Sequence, residues 1–244
     1  MSRRLSRFLL ASPLLISLLF APANAAGPSE ESTVILQRFL SLDDPTPIHY
    51  RALRHLEGRN DRFEKSAWMD VWIESDASGF RYVIAAEDGS DYIRTKVFRA
   101  SLETEQTMWA SGAPGRARLT PANYTFEDRG AQRDGLSSLT LKARRKDVLL
   151  VDGSIFLNPG DGDLVRMEGR LSKAPAFWIR RVDITRHFQR FCGYRMPTLL
   201  EATATVLLAG PSSFRVTYEY ESIDGRRVGN PQPRTVSRAA SPGL

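Results

Sequence analysis

The stretch SFRVTYEYESI, residues 213–223, decides the fold of this chain. Apolar and aromatic residues (Phe214, Val216, Tyr218, Tyr220) alternate with polar ones (Arg215, Thr217, Glu219, Glu221), which is the period-two pattern of a β-strand with one solvated face. Similar runs precede it at 164–171, 177–191 and 196–208, and the turn signals between them lie at 173–175, 193 and 210–211. Such short connections allow only antiparallel neighbours, so the last third of the chain predicts an antiparallel sheet.

Segments with the same strand pattern occur toward the N-terminus. Further strands are predicted at 49–57, 67–74, 80–86, 124–128, 136–143 and 147–157, the last with a turn near Asp152-Gly153. Two helices are predicted, at 30–42 and 97–111, and residues 112–123 are predicted as a loop. The sequence therefore indicates a mainly β (α+β) domain, an open or curved sheet with two helices available to cover one face.

The N-terminus has the three parts of a cleavable signal peptide. Arg3, Arg4 and Arg7 precede an apolar run from Phe8 to Phe20, and Ala23-Asn24-Ala25 supplies a cleavage site. The apolar run of about 13 residues is short of the roughly 20 that a spanning helix needs, although a retained membrane helix is the alternative. Residues 1–25 are thus expected to be removed near Ala25, leaving a periplasmic or secreted protein that does not span the membrane.

Charge separates a neutral body from a basic tail. Without residues 1–25 the chain has 31 basic and 28 acidic side chains, and four of those arginines follow Ile223. A nucleic-acid-binding protein normally shows a concentrated basic face, so we expect no nucleic-acid partner. Residues 225–244, rich in Arg, Pro, Ser and Gly, are predicted to be a disordered basic tail.

No catalytic or metal-binding motif is evident. The histidines are His49, His55 and His187, and His49 and His55 would lie about 20 Å apart on one strand, too far to share a metal ion. Cys192 is the single cysteine and lies at a predicted turn. We therefore expect no enzyme, no catalytic residue, no metal and no cofactor.

One strand is apolar on both faces. Trp68 and Trp72 alternate with Ala67, Met69, Val71 and Ile73, and Phe80, Tyr82 and Ile84 follow on the next strand. A sheet that is apolar on both faces must be covered on both, either by the protein's own helices and loops or by a ligand. The candidate ligand-binding residues predicted from this alternation, together with the second helix, are Trp68, Trp72, Phe80, Tyr82, Met108 and Trp109.

This order of elements resembles the LolA-LolB-like periplasmic carriers and the wider set of outer-membrane lipoprotein-sorting-like proteins. The resemblance covers about residues 30–224 and is carried by the export signal, the leading helix, the opening meander and the closing run from DLVRMEGRL (163–171) to Tyr218-Glu219-Tyr220, with Phe177-Trp178 and Met196-Pro197 between. It implies a domain at 26–224 that is an unclosed antiparallel β half-barrel with two or more helices covering the concave face.

The resemblance also implies a function. The leading hypothesis is a carrier that holds a lipid or an acylated protein between the curved sheet and its helices. The alternative is a non-enzymatic envelope protein that binds a protein partner through strand edges and the basic tail. An unrecognised hydrolase is a third possibility.

Overall fold

The computed structural model describes residues 30–42, 44–111, 116–175, 177, 179–207 and 209–234, so the predicted signal peptide lies outside the described residues. The helices are α1 (Glu30–Ser41), α2 (Asp91–Ile93) and α3 (Ala100–Ala110), and a π-helical stretch, Arg94–Arg99, joins α2 to α3. The strands are β1 (Tyr50–Asn60), β2 (Lys65–Asp76), β3 (Gly79–Gly89), β4 (Tyr124–Ala131), β5 (Ser137–Ala143), β6 (Val151–Leu157), β7 (Leu164–Leu171), β8 (Ile179–Phe191), β9 (Tyr194–Val206), β10 (Gly210–Ile223) and β11 (Arg226–Arg227).

All strands belong to one antiparallel sheet in the order β3-β2-β1-β10-β9-β8-β7-β6-β5-β4, with β11 paired to β10. Every neighbour except β1–β10 is a hairpin partner, and that one long-range pairing runs from Tyr50 opposite Ile223 to Asn60 opposite Ser212. Within the described residues β3 and β4 are edge strands that do not pair with each other, so the sheet is unclosed. The predicted mainly β, unclosed antiparallel half-barrel with helices on one face is confirmed.

The helices cover one face of the sheet, here called the helix-covered face. α1 inserts Ile35 and Phe39 among the apolar side chains of β4–β8, which form one buried cluster. Ile93, Phe98 and Leu102 pack on β1–β3 and β10 to form a second cluster. A third, smaller cluster consists of Ala52, Met196, Tyr220 and Ile223. Apolar side chains at alternate positions of each strand thus bury three regions of the same face.

The second helical segment begins six residues earlier than the sequence pattern predicts, at Asp91 instead of 97. Residues 91–99 of this segment pack on Gly58 of β1, which is distant in sequence. A Cβ added to Gly58 would lie 2.9 Å from atoms of both Ile93 and Phe98. The absence of a side chain on β1 therefore lets the π-helical stretch approach the sheet closely, a tertiary effect that local periodicity does not report.

Two other expectations are wrong. The predicted turn at Asp152-Gly153 lies inside β6, where Gly153 pairs with Gly169 of β7 and the two backbones approach closely. The predicted disordered tail begins too early, because Arg226 and Arg227 pair with β10 and residues up to Arg234 lie against the sheet. Residues 235–244 lie outside the described part of the chain.

Candidate functional site

The structure divides the six predicted ligand-binding residues between the two faces of the sheet. Phe80 and Tyr82 pack in the second apolar cluster, and Trp109 on α3 stacks on Phe80 with ring centroids 6.5 Å apart. Met108 is its half-buried neighbour on α3. Trp68 and Trp72 lie on the opposite face, where the guanidinium of Arg234 covers Trp68 and that of Arg51 covers Trp72.

A cavity of about 600 Å³ lies on the helix-covered face, bounded by strands β1, β9 and β10, the end of α3 and the loop after α1; it is called the inner cavity below. Its apolar wall consists of Tyr50, Trp109, Met196, Tyr218 and Tyr220 together with Pro45, Pro47 and Pro197. Its rim is exposed at Pro45, Thr46 and Arg118. The volume and the mixture of apolar walls with a few polar groups are typical of small-molecule sites.

Arg54 brings a charge to the wall of this cavity. It occupies an inward position on β1, opposite Tyr218 of β10, and its guanidinium lies 4.9 Å from the Tyr218 ring centroid. Both terminal nitrogens donate to Glu105 of α3, at 2.6 and 3.0 Å. Although burial opposes the charge, the adjacent Glu105 carboxylate raises the pKa of Arg54 well above its ordinary value, so Arg54 is a permanent cation.

A second ion-pair group borders the inner cavity near α1. Arg195 donates to Asp163 at 2.8 Å and to Asp44 at 3.0 Å, and its guanidinium lies 5.7 Å from the Phe39 ring centroid. Arg190 shares the Asp163 carboxylate. These contacts attach the loop after α1 to the β8–β9 hairpin and so fix one wall of the cavity.

Two tyrosines of the wall, Tyr50 and Tyr220, are held in the neutral form. Burial raises the pKa of Tyr220 well above its ordinary value, with nearby Tyr218 and Tyr50 adding to the rise and the charges of Arg54 and Arg186 opposing it. Burial likewise raises the pKa of Tyr50. The Tyr220 hydroxyl donates to the Pro197 carbonyl oxygen at 2.8 Å, which leaves its ring to face the cavity. These two rings therefore offer aromatic surface without negative charge.

A larger cavity of about 1240 Å³ lies on the opposite face and crosses the sheet from β3 through β2, β1, β10, β9, β8 and β7 to β6. Its side chains are mostly polar or charged and pair with one another, as in Arg215 with Glu201 at 3.4 Å and Arg234 with Glu57 at 3.0 Å. Because these groups already satisfy each other near solvent, this polar trough offers little drive for an apolar ligand.

The C-terminal segment, residues 225–234, borders that trough at Arg234 and is held by the buried carboxylate of Asp70. The Asp70 side chain is inaccessible to solvent and accepts the Arg234 backbone N–H, and its other oxygen lies 2.8 Å from His55 Nδ1. His55 Nε2 lies 3.0 Å from Glu219. His55 is therefore part of a linear polar chain that positions the segment, and no group of three or more His, Cys, Asp or Glu with metal-binding geometry occurs in the described part of the chain.

Sequence reasoning missed most of the inner cavity. The inward alternation of Tyr218 and Tyr220 was visible, but nothing local aligned them with Tyr50, 168 residues earlier in the chain than Tyr218. Arg54 carried a signal, since a charged residue stands at an inward position between Ala52 and Leu56. A charged residue in such a position is most often paired or functional.

No protein-family model matches the chain, and no curated protein matches it. Among solved structures, the chain is similar to a LolA superfamily protein from Nitrosomonas europaea, at 10% identity and a TM-score of 0.37 over 81% of this chain and 94% of that one. It is also similar to an outer membrane lipoprotein-sorting protein domain from Vibrio parahaemolyticus, at 9% identity and a TM-score of 0.38 over 79% and 92%.

Both are proteins of the kind that the sequence resemblance named. The unclosed antiparallel sheet itself follows from the strand order and pairing. Among the described helices, none is long and apolar enough to cross a bilayer.

Proposed function

We propose that this chain is an exported carrier that binds the hydrocarbon part of a lipid, or of an acylated protein, in the inner cavity. The observation that supports it is the aromatic and proline-rich wall of a cavity of about 600 Å³ at the border of the second apolar cluster. Export is supported by the arginine-led apolar run and the Ala23-Asn24-Ala25 motif of the N-terminus.

Hydrocarbon burial sets the expected energetics. Each buried methylene contributes about 0.8 kcal/mol, or up to about fourfold in affinity, before the costs of association. The proposal therefore predicts that binding strengthens with chain length until the cavity is full. Trp109, which stacks on Phe80 and lines the cavity, should report binding through its fluorescence.

The first test is native mass spectrometry with lipid extraction on protein purified from the periplasm without detergent. A co-purified acyl species near one per chain is expected. A titration of decanoate and laurate into emptied protein follows, and laurate should bind up to about 15-fold more tightly for its two extra methylenes.

Two variants show on which face of the sheet the fluorescence change arises. Trp109→Phe should abolish most of the fluorescence change, whereas Trp72→Phe, on the opposite face, should leave it intact. Protein that purifies empty and binds neither fatty acid would disprove the carrier and favour the non-enzymatic interaction module.

A further inference from the structure

The polar groups of the inner cavity are strongly biased toward hydrogen-bond donors. Arg54 uses its two terminal nitrogens on Glu105, but its Nε is buried and has no acceptor among the described residues. The Arg54 side chain is only 8% exposed, so bulk water does not readily satisfy that N–H. A buried donor without an acceptor is costly, which points to an acceptor that arrives with a ligand.

Two further guanidinium groups add charge that no carboxylate of the described residues neutralises. Arg118 lines the exposed rim of the cavity, and its guanidinium forms no ion pair with any described residue. Arg186 lies on the helix-covered face, since it pairs with Met167 and Leu200, and its buried Nε also has no described acceptor. Leu200 in turn pairs with Val216 of β10, two residues before Tyr218, so Arg186 lies two strands away from the cavity wall on the same face.

The acids around the cavity do not offset this excess. Glu105 is occupied by Arg54, and Asp163 and Asp44 are occupied by Arg190 and Arg195. Asp44 Oδ1 is the one buried acceptor of the lining that has no described donor, and a hydroxyl of a ligand could donate to it. The inner cavity thus combines apolar walls with the guanidinium of Arg118, which has no described ion pair, and with the unsatisfied Nε–H of Arg54.

We propose that the ligand of the inner cavity is an anionic amphiphile, whose carboxylate or phosphate headgroup is bound by Arg54 and Arg118 while its hydrocarbon chain packs on Tyr50, Trp109, Tyr218 and Tyr220. This inference rests on the proposed function and adds the headgroup to it. Arg186 stabilises the same headgroup through the low-dielectric interior. Guanidinium groups favour carboxylate and phosphate because their donors form a planar fork that matches two oxygens.

The test compares headgroups on one chain length. Laurate and dodecyl phosphate are titrated against 1-monolauroylglycerol by Trp109 fluorescence and calorimetry, with inorganic phosphate as an anion without a chain. The two anionic amphiphiles should bind about tenfold or more tightly than the neutral one. Inorganic phosphate should bind at least 100-fold more weakly than dodecyl phosphate, because it buries no hydrocarbon.

Variants locate the headgroup. Arg118→Gln and Arg186→Met should each reduce the preference for laurate over monolauroylglycerol severalfold. Arg133→Gln, at an exposed arginine in the turn between β4 and β5, changes net charge equally and should have no effect.

The outcomes separate the two proposals. If laurate and monolauroylglycerol bind equally, or if the preference survives both variants, the headgroup inference is overturned and the carrier stands. If no amphiphile binds, the proposed function itself fails. Phosphate binding as tight as that of dodecyl phosphate would mean a free anion is the ligand, and it too would overturn the inference.

Discussion

Replacing Glu105 with glutamine should lower stability and raise affinity for an anionic amphiphile at the same time. Glu105 accepts two hydrogen bonds from Arg54, whose side chain is 8% exposed against 30% for Glu105. Losing one partner of a fully buried ion pair costs about 3–5 kcal/mol, whereas an exposed pair contributes about 0–1 kcal/mol. Because this pair lies between those limits and glutamine keeps one acceptor, we expect a loss of about 2 kcal/mol.

That loss is measurable as a fall in Tm of about 4–8 °C for a domain of this size. The same change removes the competing negative charge and frees one guanidinium nitrogen at the cavity wall, so laurate should bind about tenfold more tightly. Thermal unfolding followed by circular dichroism measures the first effect, and Trp109 fluorescence measures the second. Glu103→Gln, at an exposed position of the same helix, is the matched control and should change neither.

A double variant separates the charge pair from packing. Arg54→Met with Glu105→Leu replaces the pair by apolar side chains, which is often neutral or stabilising, and should recover stability to within about 1 kcal/mol. It should also lose the preference for laurate over monolauroylglycerol. An unchanged Tm in Glu105→Gln, or a fall in laurate affinity, would refute the reasoning that this pair both attaches α3 and competes with the headgroup.

Two further predictions concern the body of the fold. The Leu149 backbone N–H and the Arg116 guanidinium hold the pKa of Asp147 below its ordinary value, although burial opposes them. The ionised Asp147 carboxylate therefore stabilises the folded protein fully above about pH 4, and this stabilisation is lost as the pH falls through the lowered folded-state pKa. Asp147→Asn should therefore be less stable than wild type in urea at pH 7 and nearly equal at pH 2, and an equal gap at both would contradict this. Gly153→Val should lower the free energy of unfolding in urea by at least about 3 kcal/mol, because a Cβ there would lie 2.0 Å from the Glu168 carbonyl oxygen. The control Gly160→Ala should change the stability by less than about 0.5 kcal/mol. A soluble Gly153→Val protein of wild-type stability would show that the β6–β7 contact is not this close.

Local pattern predicted the strands well because strand alternation is a property of neighbouring residues. The alternation of Phe214, Val216, Tyr218 and Tyr220 fixes which side chains of β10 point toward the helices, and the structure agrees. The same logic failed at Gly153, since a glycine after an aspartate signals a turn locally. Its actual position in β6 is stabilised by close approach to Gly169, a partner that the sequence does not identify.

The candidate site shows the same division. Alternation alone placed Trp68 and Trp72 on the face away from Met69 and Val71, as observed, but it could not say which face carries the inner cavity. It grouped Trp68 with Phe80 and Trp109, and the structure puts a sheet between them. The polar composition of residues 225–244 likewise predicted disorder from residue 225 onward. In the structure the buried Asp70 carboxylate accepts a hydrogen bond from the Arg234 backbone and holds residues 225–234 against the sheet.

The sequence by itself determined the strands, their apolar and polar faces, the antiparallel class, and the candidate export signal, because each depends on residues a few positions apart. Only the tertiary structure decided that β1 pairs with β10 and that residues 44–47, Tyr50, Trp109, Arg118, 195–197, Tyr218 and Tyr220 meet around one cavity. The physical reason is that such convergence depends on strand register and helix packing between residues more than 160 positions apart. Neither register nor helix packing produces a periodic pattern in the sequence.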